Sequence, residues 1–374
     1  MKINRLKISN LRNHTYNDIN FDEGFNIISG KNGMGKTTIL EAISICSFSK
    51  TFLPTLDRDL IRNGEEFYQT SIEAKRDNNV DYTLNVAYKL LQKKKFSGNL
   101  GDNLLPKNII GEAPIVILSP DYKSITFGSP QNRRDFLDRL LSQLSKTYFE
   151  NLVNYKNSLR QKNSLLFKSK KERYFDFEQI EPWNEILISL STEIIAKRIE
   201  FINEFKDFFM RNYHGINDLE AIDIRYKPHS LENYNGKMNK SEIRESLLKY
   251  YSENRQSEQY KGSSCFGPHK DDLVFMINNG FAKDYASQGQ HKSLLISLKF
   301  SEFYYLKEKL NETPIVLFDD IFAELDSERA NKVLEMLELA KAQVFITTTS
   351  FDYFDNFHSK TTKFFVEKGL VRRV

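Results

Sequence analysis

Gly30-Lys31-Asn32-Gly33-Met34-Gly35-Lys36-Thr37 is the stretch on which the reading of this chain turns. It has the form G-x-x-x-x-G-K-T. An apolar segment, Phe25–Ser29, precedes it, and from Thr38 onward Ile39, Leu40 and Ile43 recur at helical spacing. Strand, glycine-rich turn and helix in that order make a phosphate cradle. Gly30, Gly33 and Gly35 let the backbone turn tightly and aim N–H groups inward at phosphate oxygens. Lys36 supplies a charge for the outer phosphates, and the Thr37 hydroxyl suits a Mg²⁺ ligand position. The helix N-terminus, with Thr38 in its first turn, favours an anion. Lys31, Asn32 and Met34 complete the expected wall, so ATP and Mg²⁺ are the cofactors the loop predicts.

The composition sets wide bounds. A chain of 374 residues, 40% hydrophobic and 28% charged, reads as a soluble globular protein of two or three domains. A net charge of +4 permits nucleic-acid binding without arguing for it. Cys46 and Cys265 lie far apart without metal-ligand spacing, which argues against a disulfide framework or zinc site. No apolar run reaches membrane-spanning length and no signal-peptide core is visible, so a cytoplasmic protein without membrane contact is expected.

Periodicity divides the chain into three parts. Residues 1–129 carry the loop and alternate as strands at 16–21, 68–75 and 81–89, with a continuous apolar run at 113–119. Residues 130–253 show long helical stripes, including 136–144 and 186–209, interrupted by a strand at 221–226; they read as an inserted helical lobe. The α/β pattern resumes over 254–374. Strands at 273–277 and 281–285 flank Asn278-Asn279-Gly280, a hairpin signal. A helix from about Gln290, a strand at 314–318, a helix at 327–341 and a strand at 343–347 follow.

The second half of a nucleotide site lies in Ile315-Val316-Leu317-Phe318-Asp319-Asp320. Its apolar residues carry a strand into the core and leave Asp319 at the exposed end, where a Walker-B carboxylate holds Mg²⁺. Asp320 is then placed to orient or deprotonate the attacking water. Two acids at a strand end also suit a plain helix cap. A third element, Ala286-Ser287-Gln288-Gly289-Gln290, precedes a helix, and its serine hydroxyl and glycine N–H suit a second anion site. Ser287, Gly289 and Gln290 at that place resemble the signature motif of the ATP-binding-cassette superfamily, and Ala323-Glu324-Leu325-Asp326 resembles its D-loop. The resemblance implies an α/β, cassette-type P-loop ATPase head with a mixed sheet and an inserted helical lobe. It also implies a head-to-tail homodimer with ATP between subunits, since the chain has one loop and one signature.

Three strings narrow the resemblance to the RecF family: residues 119–138 (SPDYKSITFGSPQNRRDFLD), Gly267-Pro268-His269-Lys270-Asp271-Asp272-Leu273, and residues 285–292 (YASQGQHK). The opening residues 6–13 and the stretch 47–64 follow the same pattern. What this implies is an ATP-dependent, slowly hydrolysing dimer, a weak DNA-dependent ATPase, that clamps double-stranded or gapped and single-stranded DNA in the nucleoid. RecR, RecO and RecA are the implied partners in recombinational repair and the SOS response. Arg12 corresponds to an early arginine that approaches the nucleotide. Lys270 and Lys292 stand where the family usually has Arg, and Ser119-Pro120-Asp121 takes the place of a glutamine loop. A switch histidine is missing; Thr348 or Thr349 is expected at the γ-phosphate instead. Lys93, Lys94, Lys95, Arg133, Arg134 and the cluster at 168–173 are the candidate DNA contacts; such clusters are more often solvated faces, and Arg133 and Arg134, inside a family string, also suit a brace between lobe and head. A transporter subunit and an architectural ATP-binding protein without useful turnover are the competing functions.

Overall fold

Alternation along Lys2–Leu11 (β1) buries Ile3, Leu6, Ile8 and Leu11, so one face of this strand must be covered. The computed structural model describes residues 1–217, 219–354 and 360–374. After β1 come β2 (His14–Asn20), β3 (Phe25–Ser29), β4 (Phe67–Lys75), β5 (Asp81–Lys89), β6 (Lys95–Gly98), β7 (Gly101–Asp102) and β8 (Ile115–Leu118). A mainly helical stretch holds β9 (Ile222–Lys227), β10 (Asp272–Ile277) and β11 (Gly280–Phe281). The chain closes with β12 (Ile315–Phe318), β13 (Val344–Thr348), β14 (Thr361–Glu367) and β15 (Leu370–Arg373). Met1–Tyr122 and Lys299–Val374 form one compact unit; Lys123–Leu298 form the other.

The first unit contains two sheets. One is antiparallel, in the order β2-β1-β4-β5-β6-β7. The other runs β15-β14-β3-β13-β12-β8; its strands are parallel except β15, which returns antiparallel on β14. This is the mixed α/β arrangement that the cassette resemblance implies. β3, β8, β12 and β13 are buried at every residue, as strands covered on both faces must be. The helix Lys36–Phe48 packs on β1, β4 and β5 and on β13, and every residue in it except Thr37 is buried. A helix covered on all sides needs apolar residues all round, which Ile39, Leu40, Ile43, Ile45 and Phe48 provide. The parallel register sets Ser29 beside Thr348 and Phe318 beside Ile346, so the strand ends that carry the loop and the acid pair share one edge.

The second unit is wider than the helical stretch expected at 130–253. Of its helices Pro130–Leu144, Lys146–Glu172, Phe177–His214 and Lys240–Lys261, the first packs on β10 and the third on β9 of the antiparallel sheet β11-β10-β9, in which β9 needs β10 as its partner. The hairpin forms where the sequence places it: Asn278 and Asn279 adopt φ of +47° and +65°, and Ile277 pairs with Gly280. The strand expected over 281–285 does not form. Pairing stops at Phe281, and Ala282–Tyr285 make one helical turn that buries Ala282 and lays the Tyr285 ring over Gly280.

The core of this unit holds charge. Arg198, almost fully buried, donates to Asp138 (2.8 Å), the Tyr148 hydroxyl (3.1 Å), the Pro268 carbonyl (2.9 Å) and Asp271 (3.4 Å). Tyr226 and the His229 N–H also donate to Asp271. Burial pushes the Asp271 carboxyl up; at Asp138 burial is outweighed by Arg198 and Lys156, which hold it below the usual range. Removing one member of such a set leaves buried charge unpaired, at a cost of about 3–5 kcal/mol. Arg198→Ala is therefore expected to lower stability by about that amount, read as a lower urea midpoint by circular dichroism. Arg198→Lys is expected to recover only part, because an ammonium cannot match the guanidinium fork.

Candidate nucleotide-binding site

The loop between β3 and the helix Lys36–Phe48 is shaped by its glycines. Gly33 and Gly35 have φ of +78° and +103°, a region that L side chains rarely adopt. At Gly35 a Cβ would also sit 2.5 Å from both the Asn13 Oδ1 and the His14 Nε2. At Gly30 it would sit 2.4 Å from the Val366 carbonyl. Lys36 folds back over the loop, and its ammonium donates to the Gly30 carbonyl at 2.8 Å and the Lys31 carbonyl at 3.3 Å. Lys31 and Asn32 are exposed, whereas Thr38 is buried behind them.

The acid pair meets this loop. Asp319, 7% exposed, accepts at one Oδ1 from the Thr37 hydroxyl (2.8 Å) and from the Thr347 hydroxyl (2.7 Å). Burial pushes its carboxyl up, against the pull of those two hydrogen bonds. Asp320 takes a left-handed φ of +46°, its N–H donates to the Thr347 Oγ1 at 2.9 Å, and its carboxylate lies 4.0 Å from the Lys36 ammonium. The threonine that reaches the acid pair is Thr347, one residue before the two expected at the γ-phosphate. Thr348 donates instead to the Ser350 carbonyl, because neighbours along β13 point to opposite faces.

Two hairpins brace the loop from outside. Asn13 donates to the Gly33 carbonyl at 3.3 Å. Asn17 donates to the His14 Nδ1 and the Gly369 carbonyl, so the His14 Nε2 carries the hydrogen and donates to the Gly35 carbonyl at 2.9 Å. Burial pushes the His14 pKa down and keeps this donor neutral. The Gly369 N–H, in the β14–β15 turn, donates to the Met34 carbonyl at 3.0 Å. Arg12 also has a left-handed φ, of +57°, and forks onto buried Glu41 at 2.9 and 3.1 Å. Arg12, Glu41, Lys36, Thr37 and Asp320 border an open cleft of about 890 Å³ beside the loop, which Asp59, Arg62 and Asn63 extend. Sequence reasoning passed over His14, Asn17, Glu41, Thr347 and Gly369. The sequence signal for them is a histidine and two asparagines, Asn13, His14 and Asn17, clustered at the turn and start of β2.

The signature residues lie in the second unit. Ser287 caps the helix Gln288–Leu310: its hydroxyl accepts from the Gln290 N–H (3.2 Å), and the Gln290 side chain accepts from the Ser287 N–H (2.6 Å). Gln290 also donates to Glu220 at 2.6 Å, so its side chain holds the turn in place. Ser287 is exposed and Gly289 half-buried in the first helical turn.

Three candidate DNA contacts are occupied elsewhere. Arg133 is buried and forks onto Asp272 at 2.7 and 2.9 Å; Arg134 donates to the Asp271 carbonyl at 2.6 Å. Both brace the second unit. Lys94 donates to the Ser49 carbonyl and pairs with Asp57 at 2.5 Å. Lys93 and Lys95 are exposed. Among the described residues no helix is long and apolar enough to cross a membrane, and no cluster of three or more His, Cys, Asp or Glu could hold a metal.

Known proteins match this chain along almost its whole length. The family described as the RecF/RecN/SMC N terminal domain matches residues 2–372. The DNA replication and repair protein RecF of Chloroherpeton thalassium is 36% identical over 93% of this chain and 95% of its own length. That of Bacillus thuringiensis is 33% identical over 94% and 93%. A solved structure of the recombination mediator protein RecF-ATP in the RecFOR pathway superimposes with a TM-score of 0.91 and 28% identity, covering 100% of this chain and 97% of that one. The Smc head domain from Pyrococcus furiosus, 16% identical with a TM-score of 0.57, shares the fold. A cassette-type ATPase head, with its phosphate loop and acid pair on one sheet edge and matches of this extent, places the chain in the RecF family of DNA replication and repair proteins.

Proposed function

We infer that this chain is an ATP-binding DNA repair and recombination mediator that reports nucleotide as assembly on DNA. The observation that carries this reading is the meeting of Thr37 and Thr347 on one Asp319 oxygen, which joins loop, acid pair and neighbouring strand into one site. The loop N–H groups and Lys36 would bind the phosphates, with no acidic residue in the first helical turn to oppose them. Thr37 and Asp319, a hydroxyl and a carboxylate, are the hard oxygen donors Mg²⁺ takes, and few protein ligands are normal for that ion. Bound there, Mg²⁺ would neutralise charge on the phosphate oxygens. Asp320 is the candidate to orient the attacking water, and Arg12, fixed by Glu41 on the cleft wall, would approach the bound nucleotide.

One loop and one signature per chain support a head-to-tail homodimer in which Ser287 and Gly289 of one subunit close on the nucleotide of the other. DNA, double-stranded or gapped, is the proposed substrate surface; weak DNA-dependent hydrolysis would release it, and RecR, RecO and RecA would be partners. Lys93 and Lys95 remain candidate phosphate contacts. The division of the head into 1–129 and 254–374 around a lobe at 130–253 is likewise proposed as the functional partition.

Lys36→Ala removes charge-assisted hydrogen bonds worth about 1.5–3 kcal/mol, so ATP affinity should fall roughly ten- to hundredfold by calorimetry. Sedimentation is expected to show an ATP-dependent dimer in the wild type that both Lys36→Ala and Ser287→Arg abolish. A dimer indifferent to nucleotide would end this reading. Because burial raises the Asp319 pKa, the carboxyl takes up a proton at higher pH than an ordinary aspartate and then holds a cation poorly. The gain in melting temperature from Mg-ATP should therefore shrink on acidification, with no such step in Asp319→Asn.

A further inference from the structure

One corner of the second unit, where the helices Lys146–Glu172 and Lys240–Lys261 both end, combines the basic cluster at 168–173 with aromatic rings that the reading above leaves without a role. Lys168, Lys170, Lys171 and Arg173 stand against a single acid, Glu172, and Lys261 adds a charge from the second helix. Phe167, Tyr174 and Tyr260 are 66%, 69% and 83% exposed. The two helix ends touch. The Lys170 ammonium lies 3.4 Å from the Lys261 carbonyl and 5.7 Å from the centre of the Tyr260 ring. A Cβ on Gly262 would sit 3.0 Å from the Lys170 side chain and 3.6 Å from the Phe167 Cα. The Tyr174 N–H folds back to the Ser169 carbonyl at 3.1 Å.

Helix C-termini favour cations, and that accounts for Lys170 and Lys261. It does not account for three large rings held in water beside them. Cations select a polyanion, and flat apolar faces select one whose own flat faces are open. Single-stranded nucleic acid has both; a duplex hides its base faces in the stack. We propose that this corner binds single-stranded DNA, with Lys168, Lys171, Arg173 and Lys261 tracking phosphates and the three rings stacking on bases. It adds a second DNA surface to the reading above and does not need the nucleotide site.

The test uses the full chain and fluorescence anisotropy with a labelled oligothymidylate and a duplex of equal length. Phe167→Ala/Tyr174→Ala/Tyr260→Ala should weaken oligothymidylate binding roughly tenfold or more, leave duplex binding nearly unchanged, and keep the salt slope. Lys168→Glu/Lys171→Glu should weaken binding and flatten the slope, and Tyr260→Trp should bind as wild type. All these side chains are exposed, so melting temperatures should stay at the wild-type value. Lys36→Ala should retain the oligothymidylate response while losing ATP-dependent dimerisation, which separates this proposal from the nucleotide reading. Unchanged oligothymidylate affinity in both multiple variants overturns the proposal, as does an equal loss on single strand and duplex from the aromatic variant. Loss of polyglutamate binding with oligothymidylate binding intact assigns the corner to an acidic protein partner and overturns it too.

Discussion

Two hydroxyls converge on one carboxylate oxygen, and the nucleotide site of this protein depends on that convergence. Thr37 follows β3, Asp319 follows β12 and Thr347 belongs to β13. Asp319 and Thr347 are delivered by strands buried at every residue and Thr37 by the first turn of a helix buried almost throughout, so none can shift without disturbing the core. The hydroxyls satisfy the oxygen without neutralising it, and burial leaves the carboxyl reluctant to ionise. A cation relieves that tension, which is why such an acid is useful at the mouth of a phosphate loop.

The second unit solves a different problem with similar means. Long helices carrying many charged residues must find one register, and apolar stripes alone allow several. Arg198, Asp138 and Asp271 form one buried set; Lys162, Glu258 and Ser264 form another, with the Lys162 ammonium 4.5 Å from the Phe266 ring centre. Burying such groups is an uncertain source of stability, but each misalignment of the helices would strand a charge. Two of the three strings that resemble the RecF family, around Arg133 and around Asp271, are parts of this wiring.

The legible parts of the sequence were those with local causes. The loop glycines, the apolar run ahead of Asp319 and the Asn278-Asn279 turn are each decided within a few residues, and all appear where the pattern puts them. Non-local partners were not legible. Arg133 suits either a DNA contact or a brace on sequence alone, because nothing nearby announces Asp272, and Lys94 likewise hides its tie to Asp57. The tie from Thr347 to Asp319 is equally hidden, because strand alternation cannot be phased without knowing which face the acid pair occupies. The 281–285 segment was misread since five residues are too few to separate a strand from a single helical turn.

The neighbours of β3 in its sheet are β13 and β14, and the turn that clamps Met34 is at Gly369. The loop that opens the site is thus made early by the ribosome, and the strands that flank it are made after the whole second unit. During synthesis β3 must wait with its edges unpaired while Lys123–Leu298, rich in local helical contacts, is free to fold first. Nucleotide recognition is then among the last properties the nascent chain acquires, so an interrupted chain carries the phosphate loop but cannot act on it.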